Sequence, residues 1–190
     1  MDDNSFASTP RRDLLLCWLA LAAYALVVLR SAWLTEDAYI TFRTVDHFIN
    51  GLGLRWNIAE RVQTYTNPLW MFFVAFGYLL TGEIFYTAIA LSVATSLLAV
   101  FFFIRHLAAS LPAALLGTAL LCSSKGFIDY STSGLENPLS HLLLATFAWM
   151  YLRRPDLAAK LWPLSLLAAL AACNRMCSMP FGPGATCVQL

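Results

Sequence analysis

Charge is scarce in this sequence, and where it is missing says as much as how little there is. Only 12% of the 190 residues are charged, against 59% apolar, and the net charge is +1. So balanced a chain offers no basic surface to a nucleic acid. It is too apolar for an ordinary soluble domain and too long for a single membrane anchor. The five cysteines, Cys17, Cys122, Cys173, Cys177 and Cys187, form no CxxC pair, and three lie in or beside apolar runs. That spacing argues against a Cys–His metal site and against a disulfide framework. There is no Gly-rich loop of the kind that cradles a nucleotide phosphate. The long apolar runs also carry no Asp or Glu in their interiors. A proton-coupled carrier places ionisable groups at membrane depth, so this absence counts against one.

What is present is a series of apolar runs: Leu14–Ala32, Pro68–Leu80, Ile84–Ile104, Leu107–Cys122, Leu139–Leu152 and Leu157–Cys173. A membrane span needs about 20 residues, with about 17 at the low end. Leu139–Leu152 reaches that length only if Asn137 and Pro138 open its helix. The first run follows Arg11 and Arg12, as a secretory signal would. It is longer than a usual signal core, and Arg30–Glu36 offers no small-residue cleavage site, so an uncleaved transmembrane helix is the reading.

Basic residues set the topology. With Arg11 and Arg12 in the cytoplasm, a full crossing by Pro68–Leu80 puts Arg105, His106, Arg153, Arg154 and Lys160 outside. Without that crossing, all five fall inside. The positive-inside rule selects the second arrangement. Pro68–Leu80 is then a surface or re-entrant helix on the outer side, and five helices cross. The expected fold is an all-α, multi-pass transmembrane bundle over residues 1–175. The tail 176–190 is Gly/Pro-rich and without periodicity, so it reads as irregular, in the manner of a truncated or frameshifted gene.

The acids gather in two external loops. Trp33–Trp70 holds Glu36, Asp37, Asp46 and Glu60 with Arg43 and Arg61; the later stretch GFIDYSTSGLENPLSHLLL holds Asp129 and Glu136. In the first loop, Thr35-Glu36-Asp37 resembles a helix start, with Thr35 as the cap. Ala38, Phe42, Val45 and Ile49 recur at helical spacing and make an amphipathic surface helix. Asn50-Gly51 stops it. Asn67-Pro68 reads as the cap and first position of the re-entrant helix. Each residue also has a plain structural reading. Glu36, Asp37 and Glu136 would serve as first-turn helix acids. Arg43 and Arg61 would snorkel to headgroups or pair with Asp46 and Glu60. Lys125 and Asp129 would be solvated loop charges. Trp33, Trp56, Trp70 and Tyr65 would form an interfacial aromatic belt.

Taken together, EDAYITFRTVDHFINGLGLRWNIAERVQTYTNPLW and YSTSGLENPL resemble the first-loop and TSGLE motifs of GT-C membrane glycosyltransferases. The likeness is to the mycobacterial terminal arabinofuranosyltransferase family. It runs from Leu14 to about Arg175, the N-terminal portion of such enzymes. The family's GERVE-like stretch stands here as Ala59-Glu60-Arg61-Val62-Gln63, and the acidic pair begins with Glu36 rather than Asp.

The resemblance implies a GT-C-like fold in the bacterial plasma membrane. It also implies sugar transfer at the outer face, from a polyprenyl-phosphate sugar donor to a glycan or protein acceptor. It makes Asp37 the base for the acceptor hydroxyl. Glu36 and Glu136 would orient the acceptor or hold a divalent cation, magnesium or manganese. Arg43, Arg61 and Lys125 are the cations for the leaving lipid phosphate. Asn57, Glu60, Tyr65 and Asn67 join them as substrate-binding positions. A lipid-linked donor suits the missing nucleotide loop. The alternative is a fragment or accessory membrane subunit without turnover.

The topology has a direct test. In a background without native cysteines, a cysteine at Ser133 should react with an impermeant reagent in intact cells, and one at Arg154 should not. The reverse pattern contradicts the assignment.

Overall fold

The computed structural model describes residues 11–59, 65–153 and 157–175. Glu60, Arg61 and the 176–190 tail therefore lie outside the described residues. Among those described, all regular structure is helical: α1 Arg11–Arg30, α2 Glu36–Ile49, α3 Pro68–Thr81, α4 Ile84–Phe102, α5 Leu111–Ser123, α6 Lys125–Tyr130, α7 Asn137–Arg153 and α8 Leu157–Asn174. A single π turn, Phe103–Leu107, extends α4.

Local chemistry explains the boundaries. Asp13 opens α1 and Arg30 closes it, each at the end where its charge complements the helix dipole. The Glu83 carboxylate caps α4, accepting from the Phe85 and Tyr86 N–H groups at 3.2 and 2.7 Å. The run expected to begin at Leu107 becomes helical only at Leu111. Ser110 caps that helix and Pro112 sits in its first turn, where its missing N–H costs nothing. α7 does start at Asn137, which gives it 17 residues. α2 ends at Asn50, with Gly51 beyond it at φ 77°.

α4 is the central element. It packs against α7 most extensively, and also against α3 and α1. α1 lies on α5 as well, α7 on α8, and α2 on α3; α3 also reaches α8. Among the described residues two helices, Arg11–Arg30 and Ile84–Leu107, are long and apolar enough to cross a membrane. α3, at 14 residues, and α5, at 13, each span only about 20 Å at 1.5 Å per residue, short of a bilayer core on their own. Large apolar side chains point outward from several helices, among them Trp18, Leu79, Leu80, Leu120 and Trp162.

The connections from α1 to α2 and from α6 to α7 are knotted together. Ser131, Thr132 and Ser133 are fully buried. The Thr35 N–H donates to the Ser133 carbonyl at 3.0 Å. Trp33 donates its backbone N–H to Thr132 Oγ1 at 3.3 Å and its indole N–H to the Asp129 carbonyl at 3.0 Å. Trp70, expected in an interfacial belt, is instead fully buried, and its indole N–H donates to the Gly134 carbonyl at 2.8 Å. From below, the Tyr24 hydroxyl joins Ser131 Oγ at 3.0 Å and also bonds Ser96 of α4. Burial of Ser133 also moves the labelling test. Lys125, 91% exposed at its side chain, is the better outer position for the impermeant reagent.

Gly134 is where the two loops press closest. Its φ is +80°, and a Cβ there would lie 2.7 Å from Leu34 Cδ2 and 2.8 Å from Ala38 Cβ. Gly134→Ala should therefore combine a left-handed backbone penalty with overpacking, roughly 2–5 kcal/mol in all. The measurement is denaturant-induced loss of helicity in detergent. An unchanged midpoint would mean that the two loops are not locked together.

Candidate functional site

The knot positions a carboxylate. Glu136 follows the Gly134 turn and precedes α7, and it is only 8% exposed. A buried carboxylate needs partners, and this one has two, with a third donor on its backbone carbonyl. Asn67 Nδ2 donates to Glu136 Oε2 at 3.0 Å. Arg175 Nε stands 3.8 Å from Oε1. Asn174 Nδ2 donates to the Glu136 carbonyl at 2.9 Å and to Ser140 Oγ at 2.9 Å. The cluster thus joins the start of α3, the start of α7 and the end of α8. Asn67 is at the N-cap position of α3, but its side chain makes no cap bond. Its amide is committed to Glu136 instead, so the expected cap is a cross-link between loops. The Asn67 and Asn174 Oδ1 atoms, on the other side of each amide, are buried with no donor.

Glu36 and Asp37 form the first turn of α2 and are exposed. Thr35, just before them, is bonded to Ser133, three residues before Glu136. The acidic turn and the TSGLE stretch therefore share one end of the helical assembly. Thr35 has the extended backbone of an N-cap, but its side chain accepts no cap bond.

The expected cations are partly occupied. Arg43 is exposed, and its guanidinium carbon lies 4.5 Å from the centre of the Trp56 ring. That cation–π contact replaces the pairing with Asp46, whose carboxylate instead accepts from Tyr78 and Asn50 at 3.1 and 3.0 Å. Lys125 is bound to Asp129 at 2.7 Å, and that hydrogen bond and charge raise its pKa above the ordinary lysine value. Asn57 and Tyr65 are half-buried, and Tyr65 packs on the Val45–Met71–Ala75 cluster. Among the described residues no three of His, Cys, Asp and Glu gather where they could hold a metal ion. The Glu136 carboxylate is met by one amide and, at 3.8 Å, one guanidinium, while the second amide is on its backbone carbonyl.

Asn174 and Arg175 were not among the expected site residues. The signal was there: antiparallel α7 and α8 return the polar pair that ends the last apolar run to the level of Glu136. An apolar groove of about 140 Å³, lined by Leu14, Trp18, Phe101 and Arg105 among others, lies at the opposite end of α1 and holds none of the site residues.

No protein-family model matches the chain, and no solved structure matches it. Over 63% of its length the chain is 30% identical to the terminal beta-(1->2)-arabinofuranosyltransferase of Corynebacterium glutamicum. The chain spans 18% of the length of that curated relative. The two sequences are distantly related, and the relative is a glycosyl-transfer enzyme.

Proposed function

We propose that this chain is the acidic-loop portion of a membrane glycosyltransferase working at the outer face of the membrane. The donor is a polyprenyl-phosphate sugar, with arabinofuranose the sugar that the relative's name points to, and the acceptor is a cell-envelope glycan or protein. α1, α4, α7 and α8 cross the membrane, as does the segment made of α5 and α6 together, while α2 and α3 lie on or dip into its outer side. The observation that carries this reading is the 3.0 Å bond from Thr35 to Ser133, which fastens the acidic turn of the first loop to the TSGLE stretch of the second. Two motifs about a hundred residues apart have reason to be fastened so if they serve one reaction.

In that reaction Asp37 takes the proton of the acceptor hydroxyl. The freed oxygen attacks the anomeric carbon as the bond from that carbon to the phosphate oxygen breaks. The lipid phosphate departs as a stable anion, so it needs a cation rather than an acid. Exposure of Asp37 leaves it accessible to a large acceptor, and Glu136, fixed by Asn67, offers a rigid acceptor for a sugar hydroxyl.

Asp37→Asn keeps size and polarity but removes the base. Transfer from a polyprenyl-phosphate pentose in membranes should fall about 10²- to 10⁴-fold, with expression and insertion unchanged. Near-normal transfer by that variant would remove Asp37 from the role.

A further inference from the structure

The departing lipid phosphate needs a cation, and the described residues point to one outside the two acidic loops. Lys125 is already bound to Asp129 at 2.7 Å, and Arg43 rests on Trp56. Arg175 stands differently. It follows the last turn of α8, its side chain is 67% exposed, and it lies at the rim above a buried carboxylate. Its contact with Glu136 is made through Nε at 3.8 Å, longer than the 2.7–2.9 Å or so of a charge-assisted hydrogen bond. A guanidinium carries five donors in a planar fork, so that contact leaves the terminal Nη groups for a second anion. Backbone bonds from its N–H to the Ala171 and Ala172 carbonyls fix its origin at the helix end. Asn67, whose Nδ2 donates to the Glu136 carboxylate, and Asn174, whose Nδ2 donates to the Glu136 carbonyl, hold that counter-ion in place.

We propose that Arg175 binds the phosphate of the lipid-linked donor, with Glu136 as its internal counter-ion; this rests on the donor reading above. Glu136 then has two opposed effects. It holds the guanidinium in place, and it also cancels part of the charge that the phosphate needs. Removing the charge while keeping the shape should tighten phosphate binding, whereas removing the guanidinium should weaken it. A purely structural ion pair would not produce opposite signs.

The experiment measures binding of farnesyl phosphate, farnesol and inorganic phosphate to the detergent-solubilised chain and its variants, with helicity checked by circular dichroism. Arg175→Ala should weaken farnesyl phosphate binding about tenfold or more and leave farnesol unchanged. Arg175→Lys should fall between, because a point charge replaces the fork. Glu136→Gln should bind farnesyl phosphate more tightly than the wild type. Wild-type binding that Arg175→Ala leaves intact would overturn the assignment of Arg175 and spare the donor reading. No preference of the wild type for farnesyl phosphate over farnesol would overturn both. Inorganic phosphate binding as well as the lipid phosphate would mark a free-phosphate site and overturn the lipid assignment.

Discussion

A buried loop must find partners for its backbone, and in this protein that requirement organises everything around it. Thr132 to Gly134 run through the interior without helical hydrogen bonds of their own. The Thr35 N–H and the Trp70 indole donate to the Ser133 and Gly134 carbonyls, and the Trp33 backbone N–H donates to Thr132 Oγ1. At the entry to the segment the Trp33 indole holds the Asp129 carbonyl and Tyr24 the Ser131 hydroxyl. Leaving one such carbonyl unpaired would cost about 1–3 kcal/mol, more in apolar surroundings than in water. The start of α2, the start of α3 and the end of α1 are therefore held by one short segment. Gly134 permits it, because only a residue without Cβ fits against Leu34 and Ala38 at that φ.

The same segment delivers Glu136 to the base of the cluster. Three elements distant in sequence contribute Asn67, Glu136 and Arg175, and each needs another to be tolerated where it is. A carboxylate this buried is unfavourable without its donors, and the donors are fixed only because α3 begins and α8 ends at the same level. Preorganisation of this kind costs stability elsewhere and is common where a site must hold one geometry through a reaction. The exposed Glu36–Asp37 turn, which follows the Thr35 bonded to Ser133, is open to a partner from solution.

Much of the fold was legible because apolar runs and helix-end residues obey local rules. Leu14–Ala32 became α1, Pro68–Leu80 became α3, and Ala38, Phe42 and Val45 face inward as their spacing required. Asn50 and Pro68 mark the ends they were expected to mark. What local rules could not supply was the direction of polar side chains. Trp70 has the composition of a belt residue and the position of a core one, because Gly134 offers its indole a carbonyl. Asn67 has the position of a cap and the partner of a cross-link. Asn174 and Arg175 look like the end of a span until α7 and α8 are laid side by side. Those facts belong to tertiary packing, and a single sequence carries them only through topology.

The central claim is that the acidic turn of the first loop and the TSGLE stretch of the second form one site. Spin labels at Asp37 and Tyr130, both exposed, measure it in lipid nanodiscs by pulsed electron resonance. The account predicts a single short distance, well below the ~30 Å of a bilayer core. A distance of that thickness or more would put the two loops on opposite sides of the membrane and contradict the shared site.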